Sequence, residues 1–254
     1  MSAASVLFLG TGEAFDDRLP HTSLLLRAPD AMLLLDCGAH VPPQLWREVP
    51  DAEALDGIWI SHLHADHVFG LAAVLGRFWE EGRKRPLTLL GGEGVRTAVA
   101  DLVDRGYPGL RRRFAFELAE MAIEPGAEAR FRGLTLRSAL SAHSLRNLAL
   151  RVEVPGAAAL CYSGDGAPTE ASAALAQEAV WVHECFSHDR DVPGHATLSG
   201  LEAELPRRRP RRLGLVHVGR RFRDTVARRA EAVSTPGLPV SLPAPGEVWQ
   251  LGAP

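Results

Sequence analysis

Ile58-Trp59-Ile60-Ser61-His62-Leu63-His64-Ala65-Asp66-His67 decides how this chain is read. The apolar opening reads as a buried strand, and an extended chain beyond it sends His62 and His64 to the same side. Asp66 and His67 then fall where the chain turns into a helix predicted over 68–81. Imidazole and carboxylate are favoured ligands of zinc-like cations, and this many at one strand end can serve two adjacent ions. A surface histidine cluster explains neither the strand-to-helix placement nor the interleaved aspartate.

Three more ligand-type residues follow strand-like runs: His143 after 134–136, Asp165 after 157–162, and His217 within 213–218. Singly, each reads as a turn or core residue. Together with the cluster they supply two metal sites with one shared carboxylate. Other strand-length runs lie at 6–9, 23–26, 32–35, 87–90, 148–154, 180–182 and 248–251. Helical periods lie at 93–105, 169–178, 198–205 and 223–232. Pro168 suits the first turn of the helix at 169–178, and Ser199 to Glu202 reads as a capping box or as a polar helix face. Strands cluster at both ends, each cluster followed by helices, which fits two packed sheets with helices outside. With no low-complexity linker, residues 1–254 read as one domain.

Composition sets the outer limits. Of 254 residues, 28 are Lys or Arg and 31 Asp or Glu, for a net charge of −3, and 46% are hydrophobic. That excludes a disordered chain and nucleic-acid binding through overall positive charge. Cys37, Cys161 and Cys185 are too few and scattered for a disulfide framework. Gly10-Thr11-Gly12 interrupts the first apolar run, which lacks the basic flank of a targeting peptide. No run reaches the roughly 18 apolar residues of a membrane span. The expectation is a soluble, cytoplasmic protein with no membrane partner.

The stretch His62-Leu63-His64-Ala65-Asp66-His67 resembles the HxHxDH motif of the metallo-β-lactamase superfamily. Other marks resemble its ribonuclease Z-like branch: Leu9 to Gly12, Leu35-Asp36-Cys37-Gly38, Gly91 to Gly94, Tyr162 to Asp165, His183-Glu184, Gly194-His195-Ala196-Thr197 and His217 to Phe222. The resemblance implies a four-layer αββα sandwich with a dinuclear site, usually zinc, with manganese or iron as other occupants. One metal would take His62, His64 and His143, and the other Asp66, His67 and His217, with Asp165 bridging. Asp36 would stand behind a ligand and fix its tautomer. Asp66, Glu184 and His195 form the implied catalytic set, His195 as general acid oriented by Glu184. Arg221 aligns with a phosphate-contacting arginine, although Gly219 stands where the branch usually has serine.

Two cations about 3.5–4 Å apart suit displacement at phosphorus or an acyl carbon by a water whose pKa they lower. Ribonuclease Z enzymes usually insert a protruding tRNA-gripping arm between the third-motif histidine and the bridging aspartate. Here the segment from His143 to Asp165 is short and reads as a hairpin around Pro155-Gly156. Ser144-Leu145-Arg146-Asn147 also lacks the branch's Pro-Ser-x-Gly-Tyr run. The leading expectation is therefore a phosphodiesterase acting on a small diester such as a cyclic nucleotide, as in armless members of the branch. RNA cleavage in tRNA 3′ processing, or hydrolysis of an aryl sulfate, lactone or thioester, would use the same site. An oxidoreductase would need an appended flavin domain, for which the chain has no room. A degenerate nucleic-acid binder would rely on the arginines at 207–212. A homodimer is expected from the resemblance.

Overall fold

The computed structural model describes residues 4–253. Its strands are β1 (Ser5–Gly10), β2 (Ser23–Ala28), β3 (Ala31–Leu35), β4 (Gly57–Ile60), β5 (Leu87–Gly91), β6 (Leu118–Ala122) and β7 (Glu128–Phe131). Then come β8 (Leu134–Leu140), β9 (Leu148–Glu153), β10 (Leu160–Tyr162), β11 (Val180–Glu184), β12 (Arg212–Val216), β13 (Val240–Ser241) and β14 (Val248–Gln250). They form two seven-stranded sheets, ordered β14-β1-β2-β3-β4-β5-β6 and β13-β12-β11-β10-β9-β8-β7. In the first, β3 to β6 run parallel. In the second, β10 to β13 do. The antiparallel pairs β7–β8, β8–β9 and β9–β10 give β8 the same direction as β10.

Strand periodicity explains the layering. Val6 and Phe8, Leu24 and Leu26, and Leu33 and Leu35 face inward, where they meet Leu136, Leu150, Val152 and Val182 of the second sheet. The alternate residues Leu7, Leu25, Leu34 and Ile58 face outward onto helices α1 (Pro42–Glu48), α2 (Ala65–Val68), α3 (Leu71–Glu80) and α4 (Val95–Gly106). Trp181, Leu213 and Leu215 face the other way, onto Leu198 and Leu201 of α6 (Leu198–Arg208) and Val226 and Ala230 of α7 (Arg223–Val233). Strands buried on both faces read as unbroken apolar runs, which is why those runs were conspicuous. The result is the expected αββα sandwich. Among the described residues no helix is long and apolar enough to cross a membrane.

Three local expectations need correction. The helix predicted over 68–81 is broken between α2 and α3 at Phe69-Gly70. Gly70 gives its N–H to the Cys37 carbonyl at 2.9 Å instead of to the preceding turn, and it packs so closely on the Gly38 carbonyl that a Cβ there would lie 2.3 Å from the oxygen. Pro168 precedes α5 (Glu170–Ala174) instead of opening it; Thr169 is the N-cap and forms a capping box with Ser172. Thr197 caps α6, accepting from the Gly200 N–H, so Ser199 to Glu202 belongs to a polar face. From that face Glu202 pairs with Arg229 of α7 at 2.7 Å.

Closure of the two sheets depends on one size match. Trp249 of β14 projects into the inter-sheet core and occupies the space over Gly214 of β12, where a Cβ would come within 2.6 Å of the indole. We expect Gly214→Ala to lower stability by about 1–3 kcal/mol, the cost of overpacking a filled core. In urea unfolding, much of that loss should be absent when Gly214→Ala is made in a Trp249→Leu background.

Candidate metal centre

Every candidate ligand lies at or just beyond the C-terminal end of a strand. His62 and His64 follow β4, His143 follows β8, Asp165 follows β10, Glu184 ends β11 and His217 follows β12. Asp36 follows β3, the neighbour of β4 in the first sheet. These strands share one direction within each sheet, so their ends meet at a single edge of the sandwich, the usual ligand edge of parallel α/β sheets.

Two constellations result. In the first, His64 Nδ1 lies 3.0 Å from His62 Nε2 and 3.1 Å from His143 Nε2. In the second, Asp66 Oδ2 lies 3.3 Å from His67 Nε2 and 3.2 Å from His217 Nε2. Asp165 reaches both: Oδ1 is 3.3 Å from His67 Nε2, while Oδ2 is 3.4 Å from His217 Nε2 and 3.8 Å from His62 Nε2. The residues grouped from sequence are thus grouped in space as two sets sharing Asp165.

Hydrogen bonds behind these side chains aim their lone pairs. His143 Nδ1–H donates to the Gly194 carbonyl at 2.7 Å, which leaves Nε2 as the acceptor facing the cluster. His62 Nδ1 lies 3.0 Å from Ser61 Oγ, whose own proton goes to Asp36 Oδ2 at 2.7 Å. His67 Nδ1–H donates to the same Asp36 oxygen at 2.8 Å, as does the Tyr162 hydroxyl at 2.7 Å. The remaining Asp36 oxygen accepts the Ser61 N–H at 2.8 Å. With His64 Nδ1 unprotonated, three imidazole lone pairs converge here and repel unless a cation lies among them. A tetrahedral ion with metal–nitrogen bonds of about 2.0–2.1 Å sets its ligand nitrogens roughly 3.3 Å apart.

The electrostatics make the same demand. Burial opposes ionising Asp66, yet bonds from His217 and His67 hold its carboxyl far below the usual range. Asp165 is likewise depressed against its burial, by His217 and His67. Burial opposes charging His217, but Asp165 and Asp66 outweigh it and raise the imidazole to about 9. His67 is raised well above its usual value by Asp165 and Asp36, again against burial. Burial, reinforced by the neighbouring His67, pushes His62 down to about 2. Buried carboxylates here require positive charge, which the histidines can carry only as borrowed protons. His67 Nε2 and Asp165 Oδ1 are moreover buried without a hydrogen bond. Orphaned atoms at the meeting point of such a donor set fit divalent cations.

Beside the cluster, Glu184 is fully buried, and its Oε1 accepts the Gly166 and Ala196 N–H groups at 2.9 Å each. The same oxygen lies 3.1 Å from His195 Nδ1, leaving Nε2 of that ring free. The His195 ring stands 5.4 Å from His143 and 5.7 Å from His217. His195 lines a cavity of about 570 Å³ together with His64, Asp66, His143, Asp165 and His217.

The structure places other residues less directly. Arg221 lines an adjoining cavity of about 360 Å³, while Arg220 lines both cavities and pairs with the buried Glu13. The arginines at 207–212 are largely engaged: Arg207 and Arg208 pair with Glu170 and Glu204, and Arg212 stacks on Trp249. Cys37, Cys161 and Cys185 are free and buried. Sequence reasoning missed Glu13, Phe15, His21 and Phe69 on the cavity wall. Their loop positions carry no periodic signal.

Several proteins of known name are similar to this chain. Ribonuclease Z of Methanosarcina mazei is 29% identical over 144 residues, covering 56% of this chain and 46% of that protein, so the chain spans about half the length of that relative. Ribonuclease Z of Methanothermobacter thermautotrophicus is 26% identical, covering 87% of this chain and 88% of its own. The metallo-β-lactamase fold protein YhfI from Bacillus subtilis superposes with a TM-score of 0.79 at 21% identity, over 98% of this chain and 100% of that one. Human tRNase Z, short form (ELAC1), gives 0.77 at 21% identity, over 97% and 99%. A diphosphatase from the PhnP family gives 0.72 at 17% identity, over 99% and 100%. The fold is therefore that of the metallo-β-lactamases. A family model described as Anti-Pycsar protein Apyc1 matches residues 4–234, nearly the whole length, and the chain belongs to that family.

Proposed function

We propose that this protein is a dinuclear metal-dependent hydrolase that cleaves a small phosphodiester such as a cyclic nucleotide. The observation that carries the reading is the cavity: about 570 Å³, with members of both ligand constellations (His64 and His143, Asp66 and His217, and the shared Asp165) and His195 on its wall. That volume suits a small molecule and is far too small to enclose a folded RNA. The hairpin of β9 and β10, paired at Leu160 and Val152, turns within a few residues, leaving no protruding arm to grip tRNA. The near-neutral charge and the paired arginines on α6 point the same way.

His62, His64 and His143 would hold one divalent cation, and Asp66, His67 and His217 the other, with Asp165 between them. Zinc is our choice, since imidazole and carboxylate dominate the donor set. Bound there, the cations would activate water and neutralise charge growing on the phosphoryl oxygens.

The chain's own residues do the rest. Asp36 fixes the His67 tautomer and, through Ser61, that of His62. Glu184, locked by two backbone N–H groups, orients His195. His195 Nε2 then donates a proton to the departing alkoxide. Arg221 remains our cation for a phosphate oxygen, reaching from the adjoining cavity. The reading has all 254 residues acting as one domain, as a homodimer, in the cytoplasm. A second reading, RNA cleavage, draws on the long match to the Methanothermobacter ribonuclease Z.

We expect metal-loaded protein to hydrolyse cyclic nucleotides and simple aryl phosphodiesters while leaving precursor tRNA intact; the reverse pattern would establish the second reading. His195→Ala should lower kcat on cyclic nucleotides by about 10²–10⁴-fold. The loss should be far smaller on a p-nitrophenyl diester, whose leaving group departs without a proton. Asp36→Asn should weaken divalent-metal affinity by about 10–100-fold, read by competition with a chromogenic chelator. An unchanged affinity would remove Asp36 from its assigned role.

A further inference from the structure

The connection from β1 to β2 is not a slack surface loop. At its base, the His217 N–H donates to the Thr11 carbonyl at 2.9 Å, tying it to a candidate ligand. Gly12 and Thr22 close it, with Gly12 N–H to the Pro20 carbonyl at 2.8 Å and Thr22 N–H to the Gly12 carbonyl at 3.0 Å. Asp16, nearly buried, accepts the Arg18 and Leu19 N–H groups at 2.9 and 3.0 Å and pairs with Arg223. Glu13, equally buried, accepts the Phe15 N–H at 2.7 Å and pairs with Arg220. Every polar anchor of this loop turns inward. Its phenylalanine, Phe15, does the opposite, standing 79% exposed on the wall of the metal-centre cavity, while Leu19 of the same loop is half-buried. Phe69, 55% exposed, lines the same cavity.

Nothing in the fold gains from this arrangement. An aromatic ring left in water forfeits its burial, and the loop beneath it is fastened by charges that could equally have held a polar residue. A ring held at the mouth of a cavity whose floor is built for cations and a phosphate suits a ligand with a flat aromatic part attached to that phosphate.

Building on the phosphodiesterase reading, we propose that Phe15 is the platform on which the base of a nucleoside cyclic phosphate stacks, in the cavity that Phe69 also lines. Stacking recognises the π face that every base carries, so the subsite accepts purines and pyrimidines alike.

The test compares wild type, Phe15→Ala, Phe15→Leu and Phe15→Trp, all metal-loaded, on two diesters. One is a nucleoside 3′,5′-cyclic phosphate, and the other is methyl riboside 3′,5′-cyclic phosphate, which lacks a base. Phe15→Ala should raise KM for the cyclic nucleotide by roughly 5- to 100-fold with little change in kcat, the range that loss of one base–aromatic stack gives. Phe15→Leu should resemble it, Phe15→Trp should resemble wild type, and KM for the base-free diester should not move. Equal effects on both diesters, or none on either, would overturn the proposal and leave the phosphodiesterase reading standing. Should wild type turn over neither diester, that reading would fall. Nucleoside monophosphate binding would then decide the subsite: weaker binding to Phe15→Ala keeps it, and equal binding removes it.

Discussion

The carboxylate of Asp36 is the constraint on which the site hangs. It is wholly buried, held at a left-handed φ of 59°, and accepts four hydrogen bonds from three residues. Ser61 and His67 belong to the stretch after β4 in the first sheet, and Tyr162 ends β10 in the second. A single ionised group thus ties the two sheets together at their shared ligand edge. A buried carboxylate left short of partners costs several kcal/mol, so each donor is held in place by the penalty for its loss. The tautomer of His67 and, through Ser61, that of His62 are consequences of this one satisfied charge.

Around it, the protein keeps an anionic interior within a nearly neutral chain. Asp66, Asp165 and Glu184 lie close together and buried. Fixed N–H groups balance Glu184, but Asp66 and Asp165 depend on cations. Without metal, His67 and His217 supply them by holding protons above their usual range. Cation binding at this site would therefore be a proton exchange, because those nitrogens would have to give up their protons to bind.

What the sequence disclosed follows from the range of the interactions involved. The run from Ile58 to His67 is legible because strand, turn and ligands are neighbours along the chain. His143, Asp165 and His217 were legible because each follows its own apolar strand. The break at Gly70 was not, since its N–H goes to the carbonyl of Cys37, distant in sequence. β6, β7 and β13 escaped notice because edge strands are half exposed or very short and carry a weak apolar pattern. The arginines at 207–212 read as a basic patch, whereas their partners Glu170 and Trp249 come from other elements. Glu13 and Phe15 drew no attention for a similar reason: the loop between them and Arg220 takes its shape from a segment some two hundred positions away.

The pairing of β14 with β1 has a bearing on how the chain is made. Ser5 to Leu7 lie against Val248 to Gln250, while Trp249 reaches across to Gly214. β14 follows β1 by about 240 positions, so during synthesis β1 waits with one side of its backbone unpaired until β14 has been made. Throughout that interval the nascent protein carries an open and strongly apolar sheet edge, the kind that recruits strands from other chains. Arrival of β14 therefore does more than extend a sheet: it covers an edge that would otherwise stay open to strands of other chains.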